Sequence, residues 1–346
     1  MMSGTSLDGM DLCSVIFYES ENGYSYKIEN AKTYKYDSTW EKDLKNAYSN
    51  SREEVHELNK KYTQYVNQKI KEFIDEFSVE SINLIASHGH TIWHKPNEGY
   101  TLQIGNLPTL KDGLPAPVVC DFRVQDVQLG GQGAPLVPIG DQLLFSNYDF
   151  CLNLGGFSNI SFQENGIRKA FDICPVNILL NEYTLLYYHK AYDDQGKFAS
   201  QGKIYKELLD ELNNLEFYNK NKPKSLGVEE VNSYYKPIVC KYVITPEDLL
   251  CTLVEHMAFQ ISIVVNKNKG KSLLITGGGA FNNYLIKRIE YYCKSIEIIV
   301  PDKLTIEYKE ALIFAFLGYL KIQNKNNCLS SVTGAKNDHS SGVIYR

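Results

Sequence analysis

A glycine-bounded turn, Gly4-Thr5-Ser6-Leu7-Asp8-Gly9, leads into the β-rich run Leu12 to Tyr18. The same plan returns at Phe150 to Phe162, where Gly155-Gly156 separates two apolar runs. A chain that twice lays down a glycine turn against β-rich runs is constrained towards two lobes, each opening on a hairpin. Length agrees, since 346 residues exceed what one hydrophobic core usually sustains. The strand expected ahead of the first turn is nearly absent, because only two residues precede Ser3.

The intervening sequence supplies the rest of an α/β fold. Ser51-Arg52-Glu53-Glu54 is a capping box, and Val55, Leu58, Tyr62, Val66, Ile70, Phe73 and Phe77 recur at helical spacing, so 51–77 reads as an amphipathic helix. Residues 82–87 read as a strand ending at His88-Gly89-His90-Thr91, and 116–120 as one ending at Asp121-Phe122-Arg123. Polar residues at strand ends mark where open α/β sheets bind ligands. The Gly- and Pro-rich segment 129–138 is the candidate crossing between lobes. Thr245 caps a helix that begins with Pro246 and buries Leu249, Leu253, Met257, Ile261 and Val264. A βαβ unit follows, with a strand over 272–276, Gly277-Gly278-Gly279, a helix from about 282 to 294 and a strand over 296–300.

Composition narrows the function. No run approaches the roughly 20 apolar residues of a membrane span, and a net charge of −5 disfavours broad binding to nucleic acid or an anionic membrane. The expected partners are small molecules, with no nucleic acid and no membrane. Eight scattered cysteines without a C-x-x-C pair or a secretory segment read as free thiols of a cytoplasmic protein.

Glycine loops bind phosphate because backbone N–H groups approach the anion with no side chain in the way. Gly4 to Gly9 fits that role, and Asp8 suits it if Mg²⁺ is held there, directly or through water. The alternative is an ordinary hairpin turn. Gly277-Gly278-Gly279 would let a nucleotide lie on the backbone, helped by the following helix N-terminus, or is simply a tight turn. Asp172 reads as a general base at a strand end or as a cap before Pro175. Arg123 reads as an anion clamp or a surface charge, and Glu310 as a helix-start cap or a sugar contact. His88, His90 and His94 allow a metal set, because H-x-H at a strand end projects both rings to one face. Hydrogen-bonding or substrate-contacting histidines are the other reading.

Taken in order, these segments resemble the anhydro-N-acetylmuramic acid kinases of bacterial cell-wall recycling. The matching motifs are Met2 to Asp11, Ser87-His88-Gly89-His90 through Pro96, Gln103 to Asn106, Asp121-Phe122-Arg123, Gly130 to Pro138, Asn153-Leu154-Gly155-Gly156, Phe171-Asp172, Gly277-Gly278-Gly279 and Glu310-Ala311. The resemblance implies a two-lobed actin-like ATPase (ribonuclease H-like) fold with the active site in the interlobe cleft. Lobe I would span 1–128, completed by 331–346, and lobe II 129–330. It implies ATP and Mg²⁺ as cofactors and a homodimer. It further implies that water opens the 1,6-anhydro bridge at C1 while O6 takes the γ-phosphoryl of ATP, giving N-acetylmuramate 6-phosphate and ADP. Asp172 matches the base. Arg123, Glu310, His88, His90 and Asn177 match sugar-side positions. Gly4, Thr5, Ser6, Leu7, Asp8, Gly9, Asn153, Gly155, Gly156 and the three tandem glycines match nucleotide positions, with Asp8 towards the metal.

Two departures stand out. The family pattern Phe-Asp-Thr-Gly-Pro-Gly-Asn is here Phe171-Asp172-Ile173-Cys174-Pro175-Val176-Asn177, followed by Asn181 in place of an Asp, and His90 stands where Gln is common. They motivate a rival reading, an actin-like sugar kinase of altered catalysis or specificity. The rival from another class is a histidine-metal hydrolase.

Overall fold

The structure, a computed structural model, describes residues 1–4, 7–21, 23–219 and 225–346. They form two compact units. Unit 1 comprises Met1–Leu144 and Tyr308–Arg346, and unit 2 comprises Phe145–Glu307.

In unit 1, β1 (Met2–Ser3) and β2 (Met10–Ser20) form an antiparallel pair around the first glycine turn, and β3 (Gly23–Tyr34) extends it. The leading strand is as short as the sequence suggests. It still has a second neighbour, because the Met1 nitrogen donates to Ala86 O at 2.7 Å and His88 N–H donates to Met1 O at 3.0 Å. These bonds set β4 (Ile85–Ser87) beside it. A separate hairpin pairs β5 (His90–Lys95) with β6 (Tyr100–Ile104), while β7 (Val118–Cys120) runs parallel to β4.

Unit 2 holds β8 (Phe150–Leu154), β9 (Phe157–Glu164), β10 (Ile167–Pro175), β11 (Ser272–Thr276) and β12 (Glu297–Ile299), in the order β10-β9-β8-β11-β12. The first three form an antiparallel meander, and β11 runs parallel to both β8 and β12. This 3-2-1-4-5 order is that of the ribonuclease H-like sheet. Unit 1 repeats it from β3 through β2, β1 and β4 to β7, with β13 (Val343–Tyr345) added antiparallel to β7.

Helical faces read from the sequence lie in the cores. Ser51 and Glu54 form the capping box, and the helix Arg52–Glu76 buries Val55, Leu58, Tyr62, Val66, Ile70 and Phe73. The helix Pro246–Lys267, capped by Thr245, is long and apolar enough to cross a membrane, contrary to the composition reading. It is the core helix of unit 2, however, with 83% of its apolar window buried.

Residues 129–138 do not make the crossing. Gly131 N–H donates to Asp126 O, Gln132 N–H to Thr333 O and Gly133 N–H to Asp126 Oδ2, which ties the segment into unit 1. The buried ion pair Lys309–Asp141 at 2.7 Å binds helix Pro138–Leu144 to helix Lys303–Ile322. The division therefore falls after Leu144 and again after Glu307, rather than after 128 and 330.

Candidate active site

In unit 2 the carboxyl ends of β8 and β11 lie side by side, with Asn153 opposite Thr276. Asn153, Gly155, Gly156, Asn177 and the three tandem glycines gather there. Gly277 has φ +81°, and a Cβ on it would stand 2.6 Å from Asn153 Oδ1 and 2.9 Å from the Leu154 carbonyl. Gly279 is equally confined, 2.7 Å from Leu154 Cβ. Packing explains both. It does not explain Gly278, which is exposed and whose added Cβ would meet nothing nearer than Asn177 Nδ2 at 3.8 Å, nor Gly156, exposed with Ile178 Cβ at 3.9 Å. Those two glycines leave bare backbone open to a ligand.

Asn177 Nδ2 donates to Leu154 O at 3.1 Å, which ties the start of helix Asn177–Tyr188 to β8. The Gly155 and Gly156 carbonyls accept the N–H groups of Val176, Asn177 and Ile178, so this helix start is already satisfied. The helix after the tandem glycines starts where the sequence suggests, and it does not follow them directly. A 3₁₀ turn over Gly278–Phe281 intervenes, and Asn282 caps the helix Asn283–Tyr292. The N–H groups at that terminus therefore do not face the glycines directly.

Asp172 lies within β10, opposite Asn159, at a register shift before Cys174. It is a strand residue and not a helix cap. Burial raises its pKa, opposed by the Leu226 N–H that donates to Oδ2 at 2.9 Å. A half-buried carboxylate with a raised pKa is suited to taking a proton. The departure Ile173 to Val176 does not form a glycine-like loop. β10 runs through Pro175, and Ser158 Oγ donates to Cys174 O at 3.0 Å while accepting from Cys174 N–H at 3.1 Å.

In unit 1, Arg123 is held from two sides. Its Nε donates to His88 Nε2 at 2.8 Å and its Nη1 to Gly133 O at 2.6 Å, with the guanidinium over the Phe314 ring. His88 Nδ1 lies 3.0 Å from Gly89 O, so the ring is neutral with its proton on Nδ1. Burial, and next Arg123, push its pKa well down. His90 Nδ1 pairs with Ser3 Oγ at 2.9 Å, and Ser3 with Tyr36 OH at 2.6 Å; burial lowers the His90 pKa to about 4. His94 Nδ1 faces Thr101 Oγ1.

The three histidines do not converge. Gly89, at φ +76°, breaks the strand between the first two, and their bonded nitrogens are committed elsewhere. Among the described residues the group with metal-ligand spacing is a different one, Asp126, Cys328 and His339. Glu310 lies in the middle of helix Lys303–Ile322, so it is not a helix-start cap. Desolvation raises its pKa, opposed by Arg123 and reinforced by Asp11 and Asp8.

Asp8 is exposed on the first glycine turn, Gly4 is half-buried, Leu7 has φ +60° and Gly9 is buried against Tyr34 O. Thr5 and Ser6 lie outside the described residues. The sequence reading missed Leu226, Ser3 and Tyr36, whose roles depend on residues distant in the chain. It also missed Asp126, whose position three residues after Arg123 and just before the Gly-rich segment was a usable signal.

The family model described as "Anhydro-N-acetylmuramic acid kinase" matches residues 1–346. Curated relatives bearing that name include one from Actinobacillus pleuropneumoniae serotype 7 (strain AP76), 34% identical over 100% of this chain and 97% of the relative. Another, from Haemophilus influenzae (strain ATCC 51907 / DSM 11121 / KW20 / Rd), is 33% identical over 100% of this chain and 96% of the relative. A third, from Pseudomonas syringae pv. tomato (strain ATCC BAA-871 / DC3000), is 37% identical over 77% of this chain and 76% of the relative. Whole-length matches at this identity place the chain in the anhydro-N-acetylmuramic acid kinase family.

Proposed function

We propose that the chain uses ATP to open and phosphorylate 1,6-anhydro-N-acetylmuramic acid, yielding N-acetylmuramate 6-phosphate and ADP in peptidoglycan recycling. The observation that carries the reading is Asp172, a half-buried carboxylate of raised pKa in the unit that also holds the bare glycine backbone. Asp172 takes a proton from water as its oxygen attacks C1. The C1–O6 bond breaks, and O6 accepts the γ-phosphoryl as ADP leaves. Gly156 and Gly278 lie under the nucleotide, with Asn153, Gly155, Asn177, Gly277 and Gly279 shaping that surface. Gly4 to Gly9 contact the phosphates.

Asp8 and Asp11 both act electrostatically on Glu310, and carboxylate oxygens suit Mg²⁺, which Asp8 would hold directly or through water. When bound, that ion neutralises charge developing on the phosphates. Arg123, locked by His88 and Gly133, and Glu310 position the sugar, and His88 acts through Arg123. Incubation with ATP and the anhydro sugar is expected to give sugar phosphate and ADP together. ADP formation without sugar phosphate would favour the altered-catalysis reading.

Arg123→Lys removes the paired donation to His88 Nε2 and Gly133 O, which one ammonium cannot reproduce. The expected loss in kcat/KM for the sugar is about 10–100-fold, with about 1–3 kcal/mol of stability lost through the buried acceptor left unpaired. An unchanged kcat/KM would remove Arg123 from the site. The Asp172 base works only ionised, so kcat/KM falls as pH falls through its raised pKa. The acid limb is expected above the ordinary aspartate range, and a profile flat down to that range would contradict the assignment.

A cytoplasmic location is part of the proposal, supported by eight cysteines none of which is joined in a disulfide. So is a homodimer, which sedimentation would show as twice the 39.4 kDa chain mass.

A further inference from the structure

We propose that Asp126, Cys328 and His339 form a binding site for one thiophilic divalent cation, Zn²⁺ in the first instance, which clasps two distant segments of unit 1. A donor atom of each lies within 4.8 Å of the others. All three are buried, with relative exposures of 0%, 1% and 5%. Cys328 and His339 are directly opposed in an isolated antiparallel bridge, with main-chain bonds of 3.1 and 3.3 Å between them. Opposed residues of such a pair project to one face. Asp126, on the short helix Val124–Gln128, completes the group.

His339 poses a problem that a cation solves. Its Nδ1 lies 3.1 Å from Asn337 O, which can only accept, so Nδ1 carries the ring proton. Its Nε2 is buried without a hydrogen-bond partner and stands 3.5 Å from Asp126 Oδ1. A lone pair facing a carboxylate oxygen in the interior is unfavourable unless positive charge lies between them. A thiolate and a carboxylate would balance a divalent cation in the buried site. Imidazole, thiolate and carboxylate form a zinc donor set.

The outer contacts are those of metal-ligating groups. His339 gives its other N–H to a carbonyl, and Asp126 is fixed by Thr333 Oγ1 at 2.7 Å on Oδ1 and by Gly133 N–H at 2.7 Å on Oδ2. Gly133 O in turn accepts from Arg123, so the clasp steadies the turn against which that residue is held.

The test uses full-length protein in which the exposed Cys240 is replaced by alanine to remove adventitious binding. The protein is equilibrated with excess Zn²⁺, dialysed exhaustively against metal-free buffer and assayed by mass spectrometry for zinc. About one zinc per chain is expected, with retention at least about tenfold lower in Cys328→Ala and His339→Ala. Co²⁺ loading is expected to give thiolate-to-cobalt charge-transfer absorption that Cys328→Ala lacks. Zinc should raise the thermal midpoint of the parent protein and not that of the variants. A parent protein that retains no zinc overturns the proposal even if the variants do not fold. So does a His339 Nε2 that NMR shows protonated in zinc-exposed protein, since a proton would then hold the place assigned to the cation.

Discussion

Asp172→Asn is expected to lower kcat by about 10²–10⁴-fold while leaving the fold at least as stable as the parent. Activity falls because asparagine cannot accept the proton of the attacking water. The stability half follows from linkage. Burial raises the Asp172 pKa in the folded state, so its stabilising contribution is present below the unfolded pKa and is lost as pH rises through the folded one. At neutral pH the folded protein therefore carries the cost of an ionised, half-buried carboxylate, which the amide removes. The amide oxygen still accepts from Leu226 N–H. Denaturant unfolding beside steady-state kinetics checks both halves. Wild-type kcat would end the role of Asp172 as base, and a loss of more than about 1 kcal/mol would make it a structural residue.

The second large effect separates neighbouring glycines. Gly277→Ala places a Cβ 2.6 Å from Asn153 Oδ1 on a residue at φ +81°, so both sterics and backbone resist it. The expected cost is about 1–3 kcal/mol of stability, with KM for ATP rising as the turn shifts. Gly278→Ala meets nothing closer than 3.8 Å and should fold normally. If the nucleotide lies on that backbone, its KM for ATP still rises, by about tenfold. A Gly278→Ala enzyme with parental stability and parental KM would mean that the tandem glycines serve only the turn.

Elements whose signal was local were legible in the sequence. The capping box at Ser51 and the helical period from Val55 to Phe73 fixed one helix, and Thr245-Pro246 fixed the start of another. β10 was illegible past Asp172, because Ile173 to Val176 stood where the family pattern has a glycine loop. What makes it strand is its continued pairing with Ser158 and Phe157 of β9, which the Ser158 hydroxyl supports across the register shift. Glu310 looked like a helix start because the apolar run after it is so marked, yet the helix begins at Lys303, where the sequence is polar. The histidines suggested a metal by spacing alone, but Gly89 and the partners Arg123 and Ser3 gave them other work. The cluster that does have ligand spacing draws on residues 126, 328 and 339, and no local pattern announces it.

The central claim is that one water opens the sugar at C1 while O6 receives phosphate. It is tested most directly by running the reaction with ATP and the anhydro sugar in ¹⁸O-water and fragmenting the product by mass spectrometry. The label is expected on the C1 hydroxyl of N-acetylmuramate 6-phosphate and not on its phosphate. Label on phosphate, or a sugar phosphate that keeps its anhydro bridge, would contradict the account.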